Sequence, residues 1–289
     1  MLNLDHILFP VDFSEPCLRA APFVRYFARK TGARVTLLHV IETSPAYYAD
    51  WAEYPSLDLR PLMRERKREL RQFLRGEFQD LPTVQRILRH GDPARVIADY
   101  ASKRRVGLIM MPTRGVGRFR QFLLGSVAAK VLHDAACPVW TSAHAQETAC
   151  WIIPEGCSKI LCAVDLTESS VEAVKYAAEL AQTLGAELRL VHVVPASESP
   201  AVKYFETEFV KALSDVAQEQ MAKLQKEAGT SAEALIRSGD ITRVVRQAAF
   251  DSQPDLIVIG RGVLQEKLGR LRTQAYSIIR ESPCPVLSV

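Results

Sequence analysis

The chain lacks long apolar runs, a basic segment at its start and paired cysteines. No apolar run approaches the roughly 20 residues that a membrane-spanning helix needs. The amino terminus (MLNLDHILFPVDFSE) carries acids where a secretory signal peptide has a basic region. The six cysteines include no Cys-x-x-Cys pair, which argues against structural zinc and a disulfide framework. These absences predict a cytoplasmic protein without a membrane partner.

Charge of neither sign dominates, because 37 Lys and Arg residues stand against 33 Asp and Glu residues, a net charge of +4. Nucleic-acid-binding proteins usually concentrate basic residues on one face, so we expect no nucleic-acid partner. Residues 64–69 (RERKRE) form one dense basic stretch that could contact nucleic acid or anionic lipid. Acids interrupt the stretch at helical spacing, which favours a solvated helix face with ion pairs four residues apart.

An internal repeat organises the chain. Residues 7–12 (ILFPVD) return as residues 160–165 (ILCAVD), and residues 37–40 (LLHV) return as residues 190–193 (LVHV). Gly-Asp, an apolar strand-like run and Cys-Pro-Val also recur in the same order, with small insertions and deletions between them. The repeat predicts two domains at 1–143 and 158–289, joined by a linker at 144–157.

Within each half, short apolar runs alternate with amphipathic stretches of helical period. The first half predicts helices at 15–30, 61–78, 93–103 and 126–135, and strands at 6–12, 34–41, 83–90, 106–111 and 138–141. Wholly apolar strands separated by helices indicate a parallel sheet that is covered on both faces. Such α/β sheets bind ligands beyond the carboxyl ends of their strands, at the topological switch point.

Asp12 closes the first predicted strand and Asp165 closes its copy. An acid at this place could accept hydrogen bonds from ribose hydroxyls, or it could cap the following helix, a role for which Ser14 competes. His39 and His192 occupy equivalent places on the second strand of each half, where a structural role is favoured over a catalytic one. No set of Cys, His and acids at metal-ligand spacing accompanies them, so we expect no metal site.

The segment after the fourth strand combines glycines, arginines and a helix start. Glycines let a backbone approach a phosphate closely, and a helix amino terminus is an anion site. Gly125 and Ser126 open the fourth helix, with Arg114, Arg118 and Arg120 in the preceding loop. A basic loop with turn glycines is the alternative. The segment is neither a Walker A loop nor a Rossmann fingerprint, because it lacks Gly-Lys-Ser/Thr and Gly-x-Gly-x-x-Gly.

The segments FPVDFSE, LLHVI, HGDP, MPTRGVGRFRQFLLGSVAAKVL and ACPVW together resemble the universal stress protein family, and the resemblance covers both halves. ATP-binding members of that family carry Gly-x-x-Gly, nine residues and then Gly-Ser/Thr. Here Gly115, residues 116–124 and the pair Gly125-Ser126 match, while Pro112 replaces the first glycine. Proline has no N–H, so a ribose contact there would use its carbonyl.

The resemblance implies an α/β fold: two tandem doubly wound open sheets, each with five mainly parallel strands in the order 3-2-1-4-5 and helices on both faces. It also implies that the first domain has a site for ATP or another adenine nucleotide, which could bind together with Mg²⁺. The adenine and ribose pocket would be lined by Pro10, Val11, Asp12, Val40 and Met111. The phosphates would lie along Arg114, Gly115, Gly125, Ser126 and Val127.

The second half departs from the family pattern. Arg272 replaces the phosphate-cradling Gly125, and Ala163 replaces Pro10, so we expect a degenerate second site. The predicted function is a nucleotide-binding stress or signalling protein that is not an enzyme. A nucleotide-free interaction scaffold and a slow ATPase are the alternatives. The expected partners are the nucleotide and unidentified proteins. The two domains are expected to form a pseudo-dimer within the chain, with association into a homodimer left open.

Overall fold

The computed structural model describes residues 3–43, 59–113, 124–142, 156–196, 203–261 and 270–289. Two compact units make up the chain, residues 3–140 and residues 141–289. The domain boundaries at 143 and 158 stay predictions, since most of the expected linker at 144–157 lies outside the described residues.

The first unit alternates strands and helices around one parallel sheet. Its elements are β1 (His6–Pro10), α1 (Glu15–Thr31), β2 (Arg34–Glu42), α2 (Arg60–Gln72), β3 (Val84–Gly91), α3 (Pro93–Lys103), β4 (Leu108–Met111), α4 (Ser126–Asp134) and β5 (Val139–Thr141). The strand order is β3-β2-β1-β4-β5. Helices α3 and α4 pack against each other, and right-handed crossovers put α1 and α2 on the opposite face.

The centre of this sheet is buried on both faces, which is why its strands read as continuous apolar runs. Ile7, Leu8 and Phe9 of β1 are entirely inaccessible to solvent, as are Leu108 and Ile109 of β4. Burying such side chains contributes roughly 1.5–3 kcal/mol each. The apolar core therefore fixes β1 between β2 and β4, and the chain leaves the sheet where polar residues follow.

The second unit repeats the pattern. Its elements are β6 (Lys159–Val164), α5 (Glu168–Leu184), β7 (Glu187–Pro195), α6 (Lys203–Ala228), β8 (Glu233–Gly239), α7 (Ile241–Ser252), β9 (Leu256–Ile259), α8 (Arg270–Glu281) and β10 (Val286–Ser288). The strand order is β8-β7-β6-β9-β10, and β6 runs parallel to both β7 and β9. The expectation of two tandem α/β domains with parallel sheets is confirmed.

Three predicted boundaries were wrong by two residues or more. Strand β4 begins at Leu108, two residues after its predicted start. Strand β1 ends at Pro10, two residues before the predicted end at Asp12. Helix α2 ends at Gln72 instead of residue 78, because Phe73 leaves the helical region (φ −59°, ψ 127°). The ring of Phe73 packs edge-on against Phe13 at 5.2 Å, and its carbonyl accepts a hydrogen bond from Arg86 at 3.1 Å. These long-range contacts favour a helix end that the local sequence does not indicate.

Within the described part of the chain, no helix has both the length and the apolar character that crossing a membrane requires.

Candidate functional site

Open α/β sheets bind ligands at the carboxyl ends of their strands, and in the first sheet the place to consider is the edge where β1 and β4 end side by side. The chain leaves β1 towards β2 on one side and leaves β4 towards β5 on the other, which makes this the switch point. In the observed register Ile7 pairs with Leu108 and Leu8 with Ile109. Continued by two residues, that register sets Pro10 beside Met111. The fold thus brings together two segments that lie about 100 positions apart in the sequence.

His39 fixes the end of β1 against β2. The Val11 N–H donates to the Leu38 carbonyl at 2.9 Å, and His39 Nδ1 donates to the Val11 carbonyl at 2.7 Å. Burial lowers the pKa of His39, so the ring is neutral with its proton on Nδ1. These are the contacts expected of a structural histidine. Val40, the next residue on β2, is half-buried and follows a fully buried run.

Asp12 leaves the sheet with a half-buried side chain. Its Oδ1 accepts hydrogen bonds from the Ser14 N–H at 3.0 Å and from the Cys17 thiol at 3.1 Å. Ser14 holds the N-cap position of α1, so Asp12 lies two residues before the cap rather than on it. Its Oδ2 makes no hydrogen bond to any residue that the structure describes, which leaves one carboxylate oxygen for a ligand.

Phe13 has a left-handed backbone (φ +64°), a conformation that costs a non-glycine residue roughly 1–2 kcal/mol. Its ring lies 4.3 Å from that of His39, and the Arg66 guanidinium lies over it at 6.0 Å. Leu166 takes the same conformation (φ +59°) in the second unit. The sequence analysis did not single out Phe13 or Leu166; their shared place directly after the acid of each copy was the available signal.

A backbone hydrogen bond holds the start of helix α4 close to the end of β4. The Gly125 N–H donates to the Thr113 carbonyl at 2.9 Å, which ties the start of α4 to the residues after Met111. Gly125 therefore orients the helix, and its own N–H is already engaged. The first intrahelical bond runs from Ala129 N–H to Gly125 O. The N–H groups of residues 126–128 have no partner within the described residues, as expected of a first helical turn.

The structure describes eight of the ten predicted site residues, and their joint role in a site stays a prediction. Pro10, Val11 and Asp12 lie at or just after the end of β1, Val40 lies on β2, Met111 ends β4, and Gly125, Ser126 and Val127 lie at the start of α4. Pro10, Val11 and Met111 are buried, whereas Ser126 is exposed and Val127 is half-buried. Arg114 and Gly115 lie outside the described residues, as do Arg118 and Arg120. Sequence reasoning missed Thr113 and Cys17, and alignment of the two halves could have found Cys17, since it coincides with Ser170.

The second unit keeps the acid but changes its surroundings. Asp165 Oδ1 accepts from the Thr167 N–H at 3.1 Å, the Thr167 hydroxyl at 2.6 Å and the Ser170 hydroxyl at 2.5 Å. Desolvation raises the pKa of Asp165, but these hydrogen bonds outweigh it and leave that pKa below its usual value. His192 Nδ1 donates to the Val164 carbonyl at 2.9 Å, as His39 does in the first unit.

The phosphate end of the second unit also differs. Helix α8 begins at Arg270, two residues before Arg272, so the copy of Gly125 lies inside the helix. A cavity of about 560 Å³ lies beside α8 and is lined by Pro195, Ala196, Gly239, Asp240, Ile241, Arg243 and Gln274. Asp240 caps α7 by accepting from the Arg243 N–H at 2.9 Å. The backbone arrangement of residues 125–128 is therefore not reproduced here.

At the switch point of the first sheet, the described residues offer Asp12 Oδ2, the Ser126 hydroxyl and the N–H groups at the amino terminus of α4. The carboxylate can accept hydrogen bonds from ligand hydroxyls, and the N–H groups can bind an anion. Among the residues that the structure describes, no three His, Cys, Asp or Glu side chains are close enough to hold a metal ion. The fold defines an α/β protein with two tandem domains of one doubly wound type.

Comparison with known proteins identifies the family. The model of the universal stress protein family matches residues 3–142 and 157–289, and the chain belongs to that family.

Single-domain relatives match about half of the chain. A universal stress protein of Thermus aquaticus is 33% identical over 133 residues, 46% of this chain and 94% of the relative. Universal stress protein MJ0531 of Methanocaldococcus jannaschii is 30% identical over 134 residues, 46% of this chain and 78% of the relative. A crystal structure of a universal stress protein from Archaeoglobus fulgidus has a TM-score of 0.69 at 23% identity, covering 98% of this chain and 95% of that one. The last comparison supports the fold across both halves.

Proposed function

We propose that the first domain binds ATP or a related adenine nucleotide, and that the chain acts as a nucleotide-occupied switch in stress response or signalling. The observation that carries the proposal is the start of α4, which the Gly125–Thr113 hydrogen bond ties to the end of β4 and where the N–H groups of residues 126–128 have no partner among the described residues. In the proposal these N–H groups bind the same ligand as Asp12, which follows the neighbouring strand β1. The spacing of Gly115, Gly125 and Ser126, which resembles that of ATP-binding family members, supports the same assignment.

The proposed contacts divide by chemistry. The phosphates lie against the first turn of α4, where the helix dipole and the Ser126 hydroxyl favour negative charge. The ribose hydroxyls donate to Asp12 Oδ2. The adenine ring lies among the apolar side chains of Val11, Val40 and Met111, which is a mainly apolar lining with few polar groups, as in most ligand pockets. Mg²⁺, where present, accompanies the phosphates.

The second domain, in this proposal, binds no nucleotide. Helix α8 begins before Arg272, and Asp165 is already engaged by two hydroxyls. We also place the protein in the cytoplasm. Cys17, Cys157, Cys162 and Cys284 are buried thiols that form no disulfide, and burial raises the pKa of each to about 12. Such thiols are unreactive core residues, in keeping with a reducing compartment.

Isothermal titration of the nucleotide-stripped chain with ATP tests the proposal. We expect one site per chain, and a loss of roughly 30-fold or more in affinity for Gly125→Arg, because the arginine side chain crowds the phosphates. Gly125 has φ −61°, which arginine adopts without strain, so the variant keeps its backbone.

Arg272→Gly in the second domain is the matched control and leaves the first site unchanged. Mass spectrometry of any nucleotide released from the purified chain identifies the natural ligand. Equal ATP affinity in Gly125→Arg and the parent would show that the site is misplaced. A parent chain that binds no adenine nucleotide would instead support the interaction scaffold.

A further inference from the structure

The two copies of the acid after the first strand are held by different donors. Asp12 Oδ1 accepts from one backbone N–H and from the Cys17 thiol. Asp165 Oδ1 accepts from one backbone N–H and from the hydroxyls of Thr167 and Ser170. Thr167 and Ser170 are the copies of Ser14 and Cys17, 153 positions later. The side-chain donors differ while the backbone turn is retained.

The two sets of donors differ in strength. A thiol is a weak hydrogen-bond donor, whereas a hydroxyl donating to a carboxylate makes a short, strong bond. Burial, followed by the charge of Asp12, raises the pKa of Cys17 to about 12, so the thiol keeps its proton and can donate. The Ser14 hydroxyl is buried and makes no hydrogen bond in the described part of the chain, so it does not donate to Asp12 as Thr167 does to Asp165.

We propose that Cys17 is a positioning residue for the nucleotide site, one that orients the Asp12 carboxylate through a weak bond and leaves its charge available to ligand hydroxyls. In the second domain, the hydroxyls of Thr167 and Ser170 donate strong hydrogen bonds to the carboxylate of Asp165 instead. This inference rests on the proposed function of the first domain. It assigns the nucleotide preference of the first domain to the residues that hydrogen-bond Asp12, as well as to the phosphate loop.

The arrangement has a specific consequence for ligand choice. A carboxylate whose charge is left available increases the affinity only of ligands whose hydroxyls donate hydrogen bonds to Asp12. ATP carries two ribose hydroxyls, and 2′,3′-dideoxy-ATP carries none while keeping the base and the phosphates. The ratio of the two affinities therefore reports on Asp12 alone. A general packing defect around Cys17 would weaken both ligands together and leave the ratio unchanged.

The test transplants the donors of the second domain into the first as Ser14→Thr/Cys17→Ser in the full chain. Titration calorimetry measures the Kd of ATP and of 2′,3′-dideoxy-ATP for each variant. We expect the double variant to lose about tenfold in ATP affinity and to change dideoxy-ATP affinity less than about twofold. Cys17→Ser alone gives a smaller shift of the ratio in the same direction and serves if the double variant does not fold.

Asp12→Asn supplies the control background, in which adding Ser14→Thr/Cys17→Ser has no further effect on the ratio. The inference is overturned, with nucleotide binding intact, if the parent prefers ATP over dideoxy-ATP and the double variant keeps the same ratio. It is likewise overturned if both ligands weaken equally. A parent chain that binds neither ligand overturns the proposed function and this inference together.

Discussion

Two buried histidines of the first domain are neutral donors to other parts of the sheet. His6 Nε2 donates to Thr36 Oγ1 at 2.8 Å, while Arg34 donates to its Nδ1 at 3.2 Å. Burial, and then the charge of Arg34, lowers the pKa of His6, and burial lowers that of His39. Protonation of His6 would put a proton on Nδ1, which faces the donor groups of Arg34, and protonation of His39 would put a charge on a buried ring.

The sign of the resulting pH dependence follows from linkage. The unfolded chain takes up protons near pH 6.5, whereas the folded chain does so only at lower pH. The stability that neutral His6 and His39 contribute is therefore present above pH 6.5 and is lost as the pH falls below it. Each histidine adds a slope of at most about 1.4 kcal/mol per pH unit to the free energy of unfolding.

Urea unfolding at a series of pH values between 7.5 and 5.5 measures this slope. We expect His39→Gln to reduce it, because the variant removes one titrating group. An identical slope in His39→Gln and the parent would mean that His39 does not titrate differently on folding.

At the scale of elements, helix ends depend on single polar contacts. Asp92 is the N-cap of α3, where it accepts from the Arg95 N–H at 3.0 Å, and it also contacts Lys130 of α4 at 3.4 Å. The hydrogen bond from the Arg95 N–H, together with Lys130, lowers the pKa of Asp92. One side chain therefore caps α3 and joins it to the helix that carries Ser126.

We expect Asp92→Ala to lower the free energy of unfolding by about 1 kcal/mol, since it leaves a first-turn N–H without its partner. Asp99→Ala, in the same helix, removes only an exposed pair with Lys103 and changes stability by less than about 0.5 kcal/mol. Chemical denaturation of both variants beside the parent gives the comparison. Equal effects of the two substitutions would refute the capping role.

At the scale of the whole molecule, the chain has two copies of one fold, and in our proposal only the first copy binds a nucleotide. The described residues at the switch point offer donors and one carboxylate oxygen, which suffice for binding. Phosphoryl transfer also needs charge stabilisation at the γ-phosphate and a group that positions the attacking water. His39, the nearest base, is neutral and donates to a backbone carbonyl. Binding without a positioned nucleophile adds little rate.

We therefore expect hydrolysis of bound ATP to be slow on the scale of enzymes. The measurement is single-turnover hydrolysis with the purified chain in excess over labelled ATP. Gly125→Arg gives the background rate that comes from contaminating ATPases. A rate near the typical enzyme value of about 10 per second, absent from that variant, would refute the switch and establish an ATPase.

The sequence by itself determined the alternation of strands and helices, the tandem repeat and the place of an acid between the first strand and the first helix of each half. Those features follow from hydrophobic period and short-range steric preference, which neighbouring residues set. The end of α2 at Gln72, the bond between Gly125 and Thr113 and the contact of Cys17 with Asp12 Oδ1 were decided only by the tertiary structure. These features depend on which groups the packed helices and strands bring close together, since a hydrogen bond forms only when donor and acceptor lie about 3 Å apart. Strand register, crossover direction and helix packing determine these contacts between residues that are distant in the sequence, and no local sequence pattern encodes them.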